Sequence, residues 1–181
     1  MKKPIKKINQ IICLLLALFV LMPVKGIAQS ELTSISRDSL ISAAREIIKA
    51  NPYCALVTVD STGQPQVRTM NPFPLGEELV IWFATSRKSR KVTEIKNDPR
   101  VSVYYANHNN AKGYVNITGT AVIIDDKELL INMKREYWEN IPDWQNKFVL
   151  IKITPKALDV INYGREINGA PETNRSPSIV F

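Results

Sequence analysis

Histidine and cysteine are nearly absent from this chain, which has one His and two Cys in 181 residues. A zinc site draws on several imidazole or thiolate ligands, and a Ser-His-Asp triad needs an imidazole beside its nucleophile. One His and one usable Cys supply neither. His108 lies in an Asn-rich loop, 107–112, and reads as a solvated loop residue. Cys13 falls in a segment expected to be removed, so Cys54 has no intrachain partner. Flanked by Tyr53 and Ala55 at the start of an apolar run, Cys54 reads as a small buried hydrophobe and not as a nucleophile. A Gly-rich turn after a strand is missing, as is a regular alternation of strand and helix, which excludes a nucleotide-binding parallel sheet. Repeats and domain linkers are missing too.

Residues 1–28 read as a secretory signal peptide. Lys2, Lys3, Lys6 and Lys7 precede an apolar run from Ile11 to Val24, and Gly26-Ile27-Ala28 offers small residues before a cut. The run is about 14 residues, short of the roughly 20 that a spanning helix needs, so no stable membrane anchor is expected. There is no twin-arginine pair and no Cys just after the cut. The protein is therefore expected to leave unfolded by the general route, as a periplasmic or secreted protein without a lipid anchor, and any cofactor is loaded after export. Removal of the signal also removes most of the basic character. Of 24 Lys and Arg, five (Lys2, Lys3, Lys6, Lys7, Lys25) precede residue 29, leaving 19 against 17 acids, or about +2. The high pI is thus no argument for nucleic acid as a partner.

From Gln29 the remaining chain, about 150 residues, has the size of one domain. Leu40, Ala44, Ile47 and Ile48 fall on one helical face, with Ser36 or Asp38 as cap and Asn51-Pro52 as stop. Residues 55–60 and 66–70, joined through Ser61-Thr62-Gly63-Gln64, predict a hairpin. In its second strand Gln66, Arg68 and Met70 share one face, so Arg68 is expected to point with a polar row toward solvent or an anion. Strands are expected over 100–106 and 114–124, the latter bent at Gly119. A helix capped by Asp125 or Asp126 runs to about Trp138 with Leu129, Leu130 and Met133 on its apolar face. Tyr137, Trp138 and Trp144 read as packing. Two closing strands, 148–153 and 157–161, are separated by Pro155. Residues 164–181 read as a tail, mobile or laid on a partner.

The stretch from Leu79 to Asn107 organises the rest. Leu79 to Phe83 reads as a buried strand covered on both sides, broken by Thr85 and Ser86. A helix of about three turns follows between Ser86 and Asp98, stopped by Asn97-Asp98-Pro99. Its first turn carries Arg87, Lys88, Arg90 and Lys91, the wrong sign for a helix start that already bears about half a positive charge. Free N–H groups, hydroxyls and four cations together have the chemistry of a phosphate site; the competing reading is a solvated charge run on a surface helix. The antiparallel hairpin pattern with few helices gives the fold class: mainly β with flanking helices, a small barrel.

The order of elements, with Arg68-Thr69-Met70, Phe83-Ala84-Thr85, Ser89-Arg90-Lys91, Asn97-Asp98-Pro99-Arg100 and Ser102, resembles the pyridoxamine 5'-phosphate oxidase-like FMN-binding split β-barrel family, in particular its general stress protein branch. The resemblance runs from about Ser36 to Tyr163, and its most specific part is the Thr-x-x-x-Ser-Arg-Lys spacing. It implies FMN as cofactor, with the phosphate gripped by Arg68, Ser89, Arg90 and Lys91. Backbone at Thr69 and Met70, and the strand end from Phe83 to Thr85, would border the flavin ring and ribityl chain. A flavin-contacting Gln of true pyridoxamine phosphate oxidases falls on the strand 114–120, where this chain places Tyr114. The resemblance further implies a homodimer that builds its flavin sites between two barrels.

Departures limit the activity that can be carried over. Only Lys134, Arg135 and Tyr137 are candidates for the substrate-phosphate residues, and the C-terminal Trp and Arg-x-His are replaced by an Arg165-Glu166-Ile167 tail. Vitamin synthesis is therefore not expected. The expected function is an FMN-dependent oxidoreductase of unknown substrate, with Tyr114 and Lys134 as candidate proton carriers. The alternative is flavin, deazaflavin or haem binding without turnover, haem being weakened by His108 as sole imidazole.

Overall fold

A computed structural model describes residues 35–181. The expected signal peptide lies outside the described residues. The first helix, α1 (Arg37–Ala50), starts where the Ser36 hydroxyl accepts the Ser39 N–H at 3.2 Å and buries Leu40, Ala43, Ala44, Ile47 and Ile48 on one face. It is followed by β1 (Cys54–Val59) and β2 (Pro65–Met70), the expected hairpin. At the turn the Asp60 carboxylate accepts the N–H groups of Thr62 and Gln64, and Gly63 takes a φ of +86°. The Thr62 hydroxyl, then these backbone donors, hold the Asp60 carboxyl down at about 2.

The central stretch gives β3 (Ile81–Ser86) and α2 (Arg90–Asn97). Both differ from the expectation. Leu79 precedes the strand with a φ of +58°, and Thr85 and Ser86 continue it, because β3 pairs with a later strand through Ser86. The helix has eight residues, just over two turns, and Arg87 and Lys88 lie in the turn before it. The strand is covered on both sides as expected, with Ile81 and Phe83 in the main core and Trp82 and Ala84 against a second cluster.

Next come β4 (Arg100–Ala106) and β5 (Gly113–Ile124), whose register shifts between Thr118 and Gly119. A Cβ at Gly119 would fall inside contact distance of the Thr154 carbonyl, which is why this position takes no side chain. The single helix expected to reach Trp138 is in fact α3 (Lys127–Asn132) followed by a 3-10 turn (Glu136–Asn140) and α4 (Trp144–Lys147). The Arg135 guanidinium between them is drawn to the Asn71 and Pro72 carbonyls and over the Phe73 ring. Leu130, Trp138, Trp144 and Leu150 form the second cluster, so the tryptophans are packing residues as expected.

The two closing strands are one, β6 (Phe148–Asn162). Pro155 passes through it because it sits opposite Gly119 at the bulge, where the ladder is already interrupted. The tail expected to be mobile or on a partner lies on its own chain: β7 (Ser178–Val180) pairs with β6, and Ile167 and Ile179 enter the main core. Burial of these two Ile side chains and the β6–β7 hydrogen bonds anchor the segment.

All pairings are antiparallel, in the order β2-β1-β4-β5-β6-β3, with β7 on β6. Since β2 and β3 do not pair, the curled sheet is a split barrel. Its inner face carries Leu56, Val103, Ile117, Ile151, Ile153 and Leu158. Helix α1 covers part of it, and α2 packs on β1 and β5. This packing brings the start of α2 beside the β1–β2 hairpin.

Candidate functional site

Thr58, on the inward row of β1, is fully buried, and a buried hydroxyl must find partners. It donates to Glu94 Oε2 at 2.5 Å and accepts from Arg68 Nη1. Arg68 comes from the adjacent strand, and its Nη2 meets the same Glu94 oxygen at 2.7 Å. Glu94 is a carboxylate on the buried face of α2 with 8% of its side chain exposed. One helical turn earlier, Arg90 Nε lies 3.6 Å from the other oxygen, Oε1. Arg90 also donates to Gln66 Oε1 at 3.2 Å, and Gln66 Nε2 donates to Asp60 Oδ2 at 2.8 Å. A continuous polar chain thus runs from the hairpin turn to the helix.

The other limb begins at Thr85, a buried hydroxyl near the end of β3. Its Oγ1 accepts from Lys91 Nζ at 3.0 Å and lies 3.2 Å from the Ser89 hydroxyl. Ser89 occupies the N-cap position of α2 but makes no side-chain cap, and the first turn holds no acid. Burial, then the neighbouring Arg68 guanidinium, pulls the Lys91 ammonium below its ordinary range. Glu94 opposes the shift and Arg90 adds to it. Three cations and one carboxylate therefore meet at a helix start, so Arg68 and Arg90 share Glu94, Lys91 has only the Thr85 hydroxyl, and the group carries a net charge of two positive units.

Of the residues expected to bind a cofactor, Arg68, Thr85, Ser89, Arg90 and Lys91 are brought together. Phe83 lies in the core beneath them. Met70 is buried toward the other end of β2, where its carbonyl accepts from the Cys54 thiol at 3.7 Å. Thr69 faces the other way, on the exposed face of β2. Tyr114 lies on the outer face of the sheet, its ring centroid 5.6 Å from that of Tyr104, in a shallow depression with His108 and Tyr163. It is outside the cationic cluster.

The row Gln66, Arg68, Met70 is the inward one, so Arg68 points beneath the sheet toward Glu94 and not with an outer polar row. Val67, on the outward row, is 66% exposed. Arg87 is outside the cluster: its guanidinium is bound by the Asp125 carboxylate and by the Asn146 carbonyl at 3.1 Å. Glu94, Thr58 and Gln66 were missed. The signals for them were present: an Arg-x-x-x-Glu spacing across one helical turn, and a Thr and a Gln on the inward rows of a hairpin that carries Arg68.

A cleft of about 830 Å³ lies past the end of β2, lined by Arg45, Lys49, Phe73, Met133, Lys134 and Arg135 among others, with buried Tyr105. Lys134 pairs with Glu139 at 2.5 Å, and Tyr137 is exposed. Cys54, near Tyr105, behaves as expected: it is buried, and burial pushes its thiol up to about 12.

The residues of the cluster fit a phosphate monoester. Such a group brings about 1.5 to 2 negative charges and three acceptor oxygens. The cluster presents a net charge of two positive units, two hydroxyls and a helix start lacking a side-chain cap.

The architecture defines the class, a split β-barrel with flanking helices. The family model described as Pyridoxamine 5'-phosphate oxidase matches residues 40–162. General stress protein 26 of Bacillus subtilis (strain 168) is 32% identical over 126 residues, spanning 67% of this chain and 87% of that protein. The crystal structure of General Stress Protein 26 from Bacillus anthracis str. Sterne is 28% identical with a TM-score of 0.56, covering 66% of this chain and 92% of its own. A pyridoxamine 5'-phosphate oxidase-related, FMN-binding protein of Nostoc punctiforme PCC 73102 shares the fold at 16% identity and a TM-score of 0.54, over 80% of this chain and 95% of its own. The chain belongs to the pyridoxamine 5'-phosphate oxidase-like family.

Proposed function

We propose that this protein binds FMN through Arg68, Ser89, Arg90 and Lys91 and works as a flavin oxidoreductase. The observation that carries the reading is the net charge of two positive units that Arg68, Arg90, Lys91 and Glu94 leave beside the start of α2, next to the hydroxyls of Thr85 and Ser89. Charge-assisted hydrogen bonds to a phosphate are worth roughly 1.5 to 3 kcal/mol each, enough to offset the misplaced cations. The FMN-binding fold relative from Nostoc punctiforme supports the choice of cofactor.

When bound, flavin would supply electron acceptance and donation; the protein supplies position and surroundings. Lys91 and Arg90 would neutralise the phosphate, and Arg68, fixed on Glu94, would orient it. The cleft beyond β2, with Arg45, Lys49, Lys134 and Arg135 around Ile48, Phe73, Leu75 and Met133, favours an organic anion as substrate. The outward face of the hairpin, with partly exposed Val57 and Val59 and exposed Val67, suits a second copy, in line with a homodimer. A periplasmic or secreted location follows from the signal peptide reading.

The test is the visible absorbance of the purified protein and its titration with FMN against riboflavin, which lacks the phosphate. Bound flavin reduced by a nicotinamide cofactor with repeated turnover marks an oxidoreductase. Binding without turnover marks a carrier. No preference for FMN over riboflavin sinks the phosphate site.

A further inference from the structure

Glu94 is an acid in a place built for an anion. A carboxylate facing a phosphate site repels the ligand, so its presence demands a reason. The geometry provides one. Its two oxygens are used separately: Oε2 receives Arg68 at 2.7 Å and the Thr58 hydroxyl at 2.5 Å, while Oε1 faces Arg90 at 3.6 Å. Arg68 and Thr58 are held on the adjacent strands β2 and β1 and Arg90 on the helix, so one carboxylate ties the start of α2 to the hairpin. Buried Thr58 completes the arrangement, donating to Glu94 and accepting from Arg68. Gln66 steadies Arg90 from the other side and is itself held by Asp60.

We propose that Glu94 is the positioning residue of the phosphate site. It holds Arg68 and Arg90 at a fixed separation before ligand arrives, and its charge lowers the cluster from three uncompensated cations to two. The site is thereby matched to a phosphate monoester dianion. This rests on the FMN reading for the identity of the ligand, and on the geometry of the cluster alone for the role of Glu94.

Two effects of Glu94→Gln oppose each other. Loss of the negative charge strengthens attraction for an anion, but Arg90 is 78% exposed and water screens that gain. The amide has one oxygen to replace two acceptors, so Arg68, Thr58 and Arg90 can no longer all be satisfied. Arg68, with only 18% of its side chain exposed, is the contact that decides. Positioning wins, and FMN binding is expected to weaken by about 10- to 150-fold, the equivalent of losing one charge-assisted hydrogen bond.

The experiment titrates wild type, Glu94→Gln, Glu94→Asp and Thr58→Val with FMN, riboflavin and inorganic phosphate, following flavin fluorescence and the phosphate-dependent rise in melting temperature. Glu94→Gln is expected to lose FMN and phosphate affinity while riboflavin binding stays unchanged. Glu94→Asp is expected to recover part of the loss. Thr58→Val removes one donor to Oε2 without changing charge and is expected to weaken FMN about fivefold; it keeps the test alive if Glu94→Gln does not fold. A merely structural ion pair would lower stability and weaken FMN and riboflavin alike, which overturns the proposal. Unchanged or tighter FMN binding by Glu94→Gln overturns it too while the FMN reading stands. Wild type that binds phosphate but not FMN removes the flavin and leaves the role of Glu94 to the phosphate arm. Wild type that binds neither removes both.

Discussion

Lys91→Met separates a ligand-binding lysine from a structural one, because the two roles predict opposite signs in the unliganded protein. Methionine keeps most of the aliphatic stem and removes the ammonium. In the unliganded site that ammonium is disfavoured by burial and by Arg68, with partial relief from Glu94 and a 3.0 Å bond to Thr85. Its removal is expected to leave unliganded stability unchanged or raise it. Removal of Arg68 is different, since it strands the buried Glu94 carboxylate; Arg68→Ala is expected to cost about 3 to 5 kcal/mol. Toward a phosphate, Lys91→Met loses one charge-assisted contact, roughly 1.5 to 3 kcal/mol, or about 10- to 150-fold in FMN affinity.

The pH dependence carries the same sign. The folded ammonium titrates below its ordinary value of 10.5, so between the two values the unfolded chain binds more protons. The penalty on the unliganded protein is complete below the folded value and is relieved as pH rises toward 10.5, a relief that Lys91→Met lacks. Chemical denaturation with and without FMN reads both quantities. A Lys91→Met protein destabilised as much as Arg68→Ala, with FMN affinity intact, would show that Lys91 is a strut and refute the reasoning.

Gly119→Ala puts a methyl against the Thr154 carbonyl, which is backbone and cannot move aside cheaply; a loss of about 3 kcal/mol or more in denaturant unfolding is expected, with the β5–β6 bulge disturbed. The Cys54 thiol, held up at about 12 by burial against an ordinary 9.0, gives stability present below pH 9 and lost as pH climbs toward 12, because the unfolded thiol ionises first. Cys54→Ala should flatten that alkaline decline, and native Cys54 should react with thiol reagents only as fast as the protein opens. Ile179→Ala, which empties a core position filled by β7, should cost about 2 to 4 kcal/mol in thermal or urea unfolding; a tail that is truly mobile would show no loss.

The chain's periodicity carried much of the fold. The amphipathic spacing of Leu40, Ala44, Ile47 and Ile48 defined α1, the Gly63 turn defined the hairpin, and Gly119 marked the bulge. These are local signals, since helix stripe, turn geometry and close backbone approach are written in neighbouring residues. Where a distant partner decides, the sequence misled. Pro155 looked like a break, yet it lies opposite Gly119, 36 positions away, and β6 runs through it. The tail looked unstructured because three strand residues carry no periodicity, and only the free edge of β6 makes Ser178–Val180 a strand.

The site divides the same way. Arg68, Thr85, Ser89, Arg90 and Lys91 were legible as residue types suited to an anion, and the spacing from Thr85 to Lys91 placed four of them at one strand-to-helix junction. What the sequence by itself determined is that cations and hydroxyls crowd a helix start with no acid in its first turn. Only the tertiary structure decided that Arg68 turns inward, that Arg87 is consumed by Asp125, and that Glu94 and Thr58 join the group. Charge and propensity are properties of residues, readable one at a time. Which charges meet is a property of the distances between strands and helix, and those exist only once the sheet has curled and α2 has packed on β1 and β5.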